Sequence, residues 1–194
     1  MHETLWTCEK WSEEACDFSR RKLDRLGIVL PEDGIASEIL RKLVGPAEET
    51  IEIVGNLLLN EGIQRVQDMT MIATVLSNQV AGNPWSNANA YTGVGDSNAV
   101  EAATQTELQA ASNKFYKAMN AAYPQRSSQT VSFQSDFLTT EANYVWAEWT
   151  VAAGASSPSG GGFLLGTTNL NRKVAALGTK VSGTWTLTSQ ITLS

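Results

Sequence analysis

Residues Thr184 to Leu193, TWTLTSQITL, alternate strictly. Trp185, Leu187, Ser189, Ile191 and Leu193 fall on one side, and threonines dominate the other. In a β-strand successive side chains point to opposite faces. Such a segment is half-buried in an antiparallel sheet, because a helix would scatter the apolar set around its axis. Thr130, Val131, Phe133, Ser135 and Phe137 repeat the pattern, and Tyr144, Trp146, Glu148 and Val151 do so less cleanly. Tyr91 to Gly95, Phe115 onwards, Phe163 to Leu165 and Leu170 to Leu177 add further short strands, with SSPSGGG (residues 156–162) as a hairpin loop. About seven strands at intervals of about 10–15 residues, without intervening helices, predict a sandwich rather than a parallel sheet.

The charge distribution divides the chain. Residues 1–68 hold 14 acidic and 8 basic side chains, whereas residues 69–194 hold six of each. The front third therefore reads as solvated helix. Residues 7–26 predict an amphipathic helix with Thr7 or Ser12 as cap, Trp11, Ala15, Phe18 and Leu26 on its stripe, and Gly27 as its stop. Residues 35–44 predict a short second helix, ended by Gly45-Pro46, and Glu48 to Val54 alternates as a strand. A long helix follows, with Leu57, Leu58, Ile63, Val66, Met69, Ile72, Ala73 and Leu76 at helical spacing and Asn60 as a cap. Residues 78–89 read as a loop, and ATQTELQA as one helical turn capped by Thr104 with Glu107 three residues on. The expected fold class is α+β: an N-terminal helical arm over 1–54, then one long helix and a C-terminal antiparallel β-sandwich over 55–194.

Composition excludes several chemistries. The only histidine is His2, so a Ser–His–Asp or Cys–His centre would rest on a terminal residue. The two cysteines, Cys8 and Cys16, lie about 12 Å apart if both sit on one helix, too far for a disulfide. A net charge of −6 disfavours nucleic acid and anionic membrane as partners. No apolar run reaches about 18 residues, so no membrane span is expected. The acidic start, with Glu3, Glu9, Glu13 and Glu14, carries no secretory leader pattern.

The remaining constellations are weak. GVGDS (residues 93–97) lacks the lysine of a phosphate loop and reads as a strand ending in a turn. Asp96, Glu101 and Glu107 match no calcium-loop spacing. Asp136, Glu141 and Glu148 offer a carboxylate pair for glycoside cleavage, without a sugar-platform pattern beside them. Tyr144, Trp146 and Trp149 either fill the core or present a carbohydrate or subunit contact. Strict alternation puts Trp149 opposite the other two unless a bulge intervenes. Glu148 and Arg172 are expected to form a structural pair across strands, since a charge-poor domain tolerates inward charges only when they are satisfied. No catalytic, cofactor-binding or metal-binding residue is assigned. Trp6, Trp11, Phe18 and Trp85 are the expected partner-contact residues, because tryptophan outside the β-region often anchors a partner.

The run from Gly55 to Ser194 also resembles a known group. GNLLLNEGIQR, AYTGVGDS, ATQTELQAA, TTEANYVWAEWTV, LNRKVAALGTK and GTWTLTSQITLS, in that order, resemble small virion proteins encoded among tailed-bacteriophage head and tail genes. They also faintly resemble the attachment domain of tail-collar fibres. The resemblance implies virion assembly without catalysis or cofactor, and it assigns no residue roles. A collar domain is followed by a shaft. Here the extra material lies in front of the β-region, and no collagen-like or coiled-coil repeat occurs. The expectation is a capsid decoration or minor capsid protein, bound to the major capsid protein or other virion proteins as a homo-oligomer, with a trimer suited to a local three-fold. A tail, baseplate or head–tail adaptor, and a carbohydrate-binding virion module, are the alternatives.

Overall fold

The structure, a computed structural model, describes residues 2–30, 34–67, 85–154 and 168–193. Its elements in chain order are β1 (His2–Trp11), α1 (Glu13–Asp24), α2 (Ser37–Leu43), β2 (Glu49–Val54), β3 (Leu57–Leu58), α3 (Asn60–Gln67), β4 (Ala90–Gly95), β5 (Lys114–Ala118), β6 (Gln125–Ser127), β7 (Thr130–Phe137), β8 (Val145–Ala153), β9 (Thr168–Asn169), β10 (Asn171–Thr179) and β11 (Thr184–Leu193). They form two antiparallel sheets. One has the order β2-β1-β11-β7-β6, and the other β3-β10-β8-β4-β5 with β9 beside β8. The α+β class with a β-sandwich is as the alternation requires.

The inner faces share one core. Trp6 and Cys8 of β1, Phe133 and Phe137 of β7, and Leu187 and Ile191 of β11 meet Val94, Trp146, Trp149, Val151 and Leu177 of the opposite sheet. Edge-to-face ring pairs tie the layers: Trp6 on Trp149 at 6.0 Å, Phe137 on Trp146 at 4.7 Å, and Trp146 on Trp185 at 4.9 Å between centroids. Such pairs each add about 0.5–1.5 kcal/mol beyond area burial. Trp146 and Trp149 join the same core although three residues apart. The β10 register against β8 shifts between Val174 and Gly178, and this bulge accompanies the change of face.

Residues 1–54 are not a helical arm. β1 runs antiparallel to β11 over ten residue pairs, from His2↔Leu193 to Trp11↔Thr184, and β2 flanks β1 on its other side. The expected division after residue 54 therefore falls away: two of the five strands of this sheet come from the first 54 residues. The helix starts at Glu13, with Ser12 Oγ accepting from Ala15 N–H at 3.2 Å, and closes with Gly27 at φ +75°. The physical reason lies in HETLWTCEKW. Thr4, Trp6, Cys8 and Lys10 alternate inwards, and an inward lysine is satisfied because its Nζ donates to Leu177 O at 2.6 Å and lies 4.4 Å from the Trp185 ring. Cys8 thus sits on a strand and Cys16 on α1, both free and buried, and burial pushes the Cys8 thiol up to about 12.

Three smaller expectations change. Leu57 and Leu58 pair with β10 as a strand, and α3 begins only at Asn60. Its buried residues are Gly62 and Arg65, while Ile63 and Val66 are partly exposed, because close packing on Leu170 selects the glycine side. Residues 104–107 form no helical turn, and Thr106 O accepts from Asn169 Nδ2 instead. The expected loop over 78–84, the hairpin at 156–162, the strand at 163–165 and the helix beyond Gln67 lie outside the described residues.

Candidate functional site

Each sheet has an outer face, and the two are finished differently. The six-stranded sheet turns Glu148 and Thr150 of β8 and Arg172 of β10 outwards. Residues 96–113 lie across them. Glu148 accepts from Gln109 N–H at 2.9 Å, Ala110 N–H at 2.7 Å and Arg172 Nε at 2.7 Å. Arg172 Nη1 reaches Ala99 O and Gln105 Oε1, and both charged side chains are fully buried. The expected Glu148–Arg172 pair is formed. Gly95 leaves room for it, since a Cβ there would stand 2.5 Å from Glu148 Oε1. Beside it Tyr91, Leu108, Tyr116 and Ala152 make a second small core. Asn169 links the neighbourhood to two further segments: its Nδ2 donates to Thr106 O at 2.8 Å and its N–H to Glu61 Oε1 at 2.7 Å. Burial pushes the Glu61 carboxyl up to about 7, and the nearby Glu107 adds to the shift.

Among the described residues, the five-stranded sheet is covered at one end only. There α1 and α2 bury Trp11, Cys16, Ile35 and Leu40 as a satellite cluster. Asp136 of β7 ties this end together, accepting from Ser37 N–H at 2.7 Å, Asn120 Nδ2 at 3.0 Å and Thr186 Oγ1 at 2.8 Å. Arg41 of α2 stacks 5.2 Å from the Trp11 ring and pairs with Glu9.

The other end of that face is open. Glu3, Leu5, Ser127, Thr130, Ser132, Gln190 and Thr192 line a shallow groove of about 410 Å³. Its polar groups are held by cross-strand contacts: Thr130 Oγ1 to Thr192 Oγ1 at 2.7 Å, and Gln190 Nε2 to Ser132 Oγ at 3.5 Å. Such pairs fix rotamers before any partner arrives, which lowers the ordering cost of binding. The face is hydroxyl- and amide-rich, with Glu3 its one charge in the groove lining. That is the charge depletion typical of interface centres.

The sequence-derived contact residues divide. Trp6 and Trp11 are each 1% exposed, so neither is available to a partner: Trp6 belongs to the inter-sheet core, and Trp11 lies under α1 and α2. Trp85 is half-buried against the core. Phe18, 50% exposed on α1, is the one of the four that stands out into solvent. Leu26, which spacing placed on the expected apolar stripe, is also exposed, as are Ile28 and Val29 just beyond it, which spacing did not single out. Trp146 and Trp149 are fully buried and Tyr144 is half-buried, donating its hydroxyl to Val94 O at 3.2 Å. The carboxylates considered for glycoside cleavage do not converge. Asp136 faces α2 outside one sheet, Glu148 lies outside the other, and Glu141 binds Lys117. Among the described residues no group of three or more His, Cys, Asp or Glu is placed to hold a metal ion, and no helix is long and apolar enough to cross a membrane.

The chain matches no protein-family model, no curated protein and no solved structure.

Proposed function

We propose that this chain is a non-enzymatic structural subunit of a tailed-bacteriophage particle, seated on the capsid shell as a decoration or minor capsid protein and contacting the major capsid protein. The observation that carries the contact role is the half-open outer face of the five-stranded sheet. Its hydroxyl and amide side chains are pre-set by one another across β7 and β11. The ordered motifs from Gly55 to Ser194 supply the particle class. A role as a glycan-binding surface has less support, because two of the three rings that would form the platform are packed between the sheets.

A subunit that binds only the assembled shell stabilises it by mass action. Particles made without this chain are expected to lose heat resistance. Adding the purified protein should restore it, and particle density maps should place it on the shell. Unaltered particles, with the protein on purified tails, would move the assignment to a tail or head–tail adaptor. Its absence from every particle fraction would end the virion reading.

A further inference from the structure

The β2 strand is terminal in its sheet, so one long side of it pairs with no strand among the described residues. Gly55 N–H donates to Thr4 O. Antiparallel alternation then directs the backbone groups of Glu49, Ile51 and Ile53 to β1, and those of Thr50, Glu52 and Val54 to the open side. Proteins commonly blunt such an edge with charged side chains, lysine above all, with proline, a bulge or very short length. β2 has six residues, ETIEIV, and pairs with β1 in unbroken register. Its two carboxylates lie on opposite faces. Glu49 shares the inner face with Ile51 and Ile53 and is bound by Lys10 at 3.1 Å, while Glu52 points outwards. Val54 is 62% exposed.

We propose that β2 is a self-complementary edge to which a second copy of this chain adds its own β2, antiparallel about a two-fold axis, joining the two five-stranded sheets into one. The faces limit the register. A two-fold perpendicular to a sheet keeps each residue on its own side, so the axis must pass through a residue position. Centred on Ile51, it sets Ile51 against the second copy's Ile51, Thr50 against Glu52, and Glu49 against Ile53. No glutamate then faces a glutamate, and the outward backbone groups of Thr50 and Glu52 bond across the junction. Centred on Glu52, it would place two carboxylates directly opposite, which is destabilising. Ile51 and Ile53 already lean on the inter-sheet core, so the pairing continues that apolar layer into the second copy. The two-fold closes at two copies. It stands independently of the particle assignment, because it rests on the strand alone. The contact is small, so a weak dimer is expected.

The test is cysteine cross-linking of the full-length chain under mild oxidation. At the two-fold the Ile51 Cβ atoms come within about 4.5–5.5 Å, close enough for a disulfide after small adjustment. Native Cys8 and Cys16 are buried, so the unmodified chain serves as the blank. Ile51→Cys should give at least about tenfold more reducible dimer than Glu52→Cys or Ile53→Cys, since only a residue on the axis meets itself at bonding distance. Sedimentation of the unmodified chain should show a concentration-dependent dimer. Thr50→Pro removes an outward N–H that β1 does not use, and should abolish that dimer with the melting temperature kept. Equal or preferential cross-linking at Glu52→Cys would overturn the register. A monomer at every concentration, with no cross-link at Ile51→Cys, would overturn the proposal. If Thr50→Pro disturbs the melt, the cross-linking comparison decides alone.

Discussion

The two outer faces of the sandwich differ in who covers them. On the six-stranded sheet the chain covers itself: residues 96–113 and α3 close over Glu148, Thr150, Asn169 and Arg172, whose polar groups bond within the chain except for Arg172 Nη2. On the five-stranded sheet α1 and α2 cover one end and, among the described residues, leave a ladder of threonine, serine and glutamine side chains uncovered at the other. The comparison separates buried polarity from available polarity. A buried charge pair stabilises nothing unless its partners are present, and it is closed to a ligand because the chain lies over it. A satisfied but open ladder contributes little to stability and is free to be read by another surface.

The largest test of this contrast removes one partner of the covered pair. Arg172→Ala should cost about 3–5 kcal/mol in denaturant unfolding, because Glu148 is then buried without its cation. Arg41→Ala, which breaks the partly exposed Glu9 pair on the other face, should cost no more than about 1 kcal/mol of ion-pair energy. Equal losses would break the distinction between the faces.

A second test sharpens it within the first 54 residues. Trp6→Ala should cost about 3–5 kcal/mol, since Trp6 fills the inter-sheet core, whereas Phe18→Ala should stay within about 0.5 kcal/mol. Were residues 1–54 a detachable arm, neither would matter to the melt. Next in size is Gly62→Ala. Its Cβ would stand 2.3 Å from Leu170 O, and α3 would have to move off the sheet at a cost of about 1–3 kcal/mol.

The covered face also carries a pH signature. The folded Glu61 carboxyl keeps its proton up to about 7, against an ordinary value of 4.5. Between those values the folded state holds the extra proton, so this group makes stability fall as pH rises through that window. Glu61→Gln should flatten the slope of unfolding free energy against pH there, and an unchanged slope would remove Glu61 as its source. The smallest expected stability effect is on the open ladder. Thr188→Lys and Gln190→Lys should shift stability by no more than about 0.5 kcal/mol while weakening attachment to the particle in a sedimentation assay.

Much of the sandwich was legible, for a local reason. Where one strand face is buried and the other solvated, the period of two is written directly, as in β7 and β11. β1 carries the same period but was obscured, because both its faces are buried near Trp11 and its charges, Glu3, Glu9 and Lys10, mimic a solvated helix. The apolar residues of α3 misled for a related reason: backbone approach at Gly62, not side-chain hydrophobicity, chose the buried side. The Glu148–Arg172 pair was legible because two charges in otherwise apolar strands need each other. The enclosing Gln109 and Ala110 amides were not, since backbone donors leave no mark on composition. The open ladder was visible as a row of threonines, but not as a surface. Whether a row faces water depends on what packs over it.

The sequence by itself determined the antiparallel class, the strands β7 and β11 with their inward sides, and the need for Glu148 and Arg172 to meet. These follow from periodicity and from the cost of burying an unpaired charge. Only the tertiary structure decided that the first strand pairs with the last, that Trp6 and Trp11 are interior, and which outer face stays open. Those depend on contacts between residues far apart in the chain, and no local pattern records which distant segment will arrive to cover a given surface.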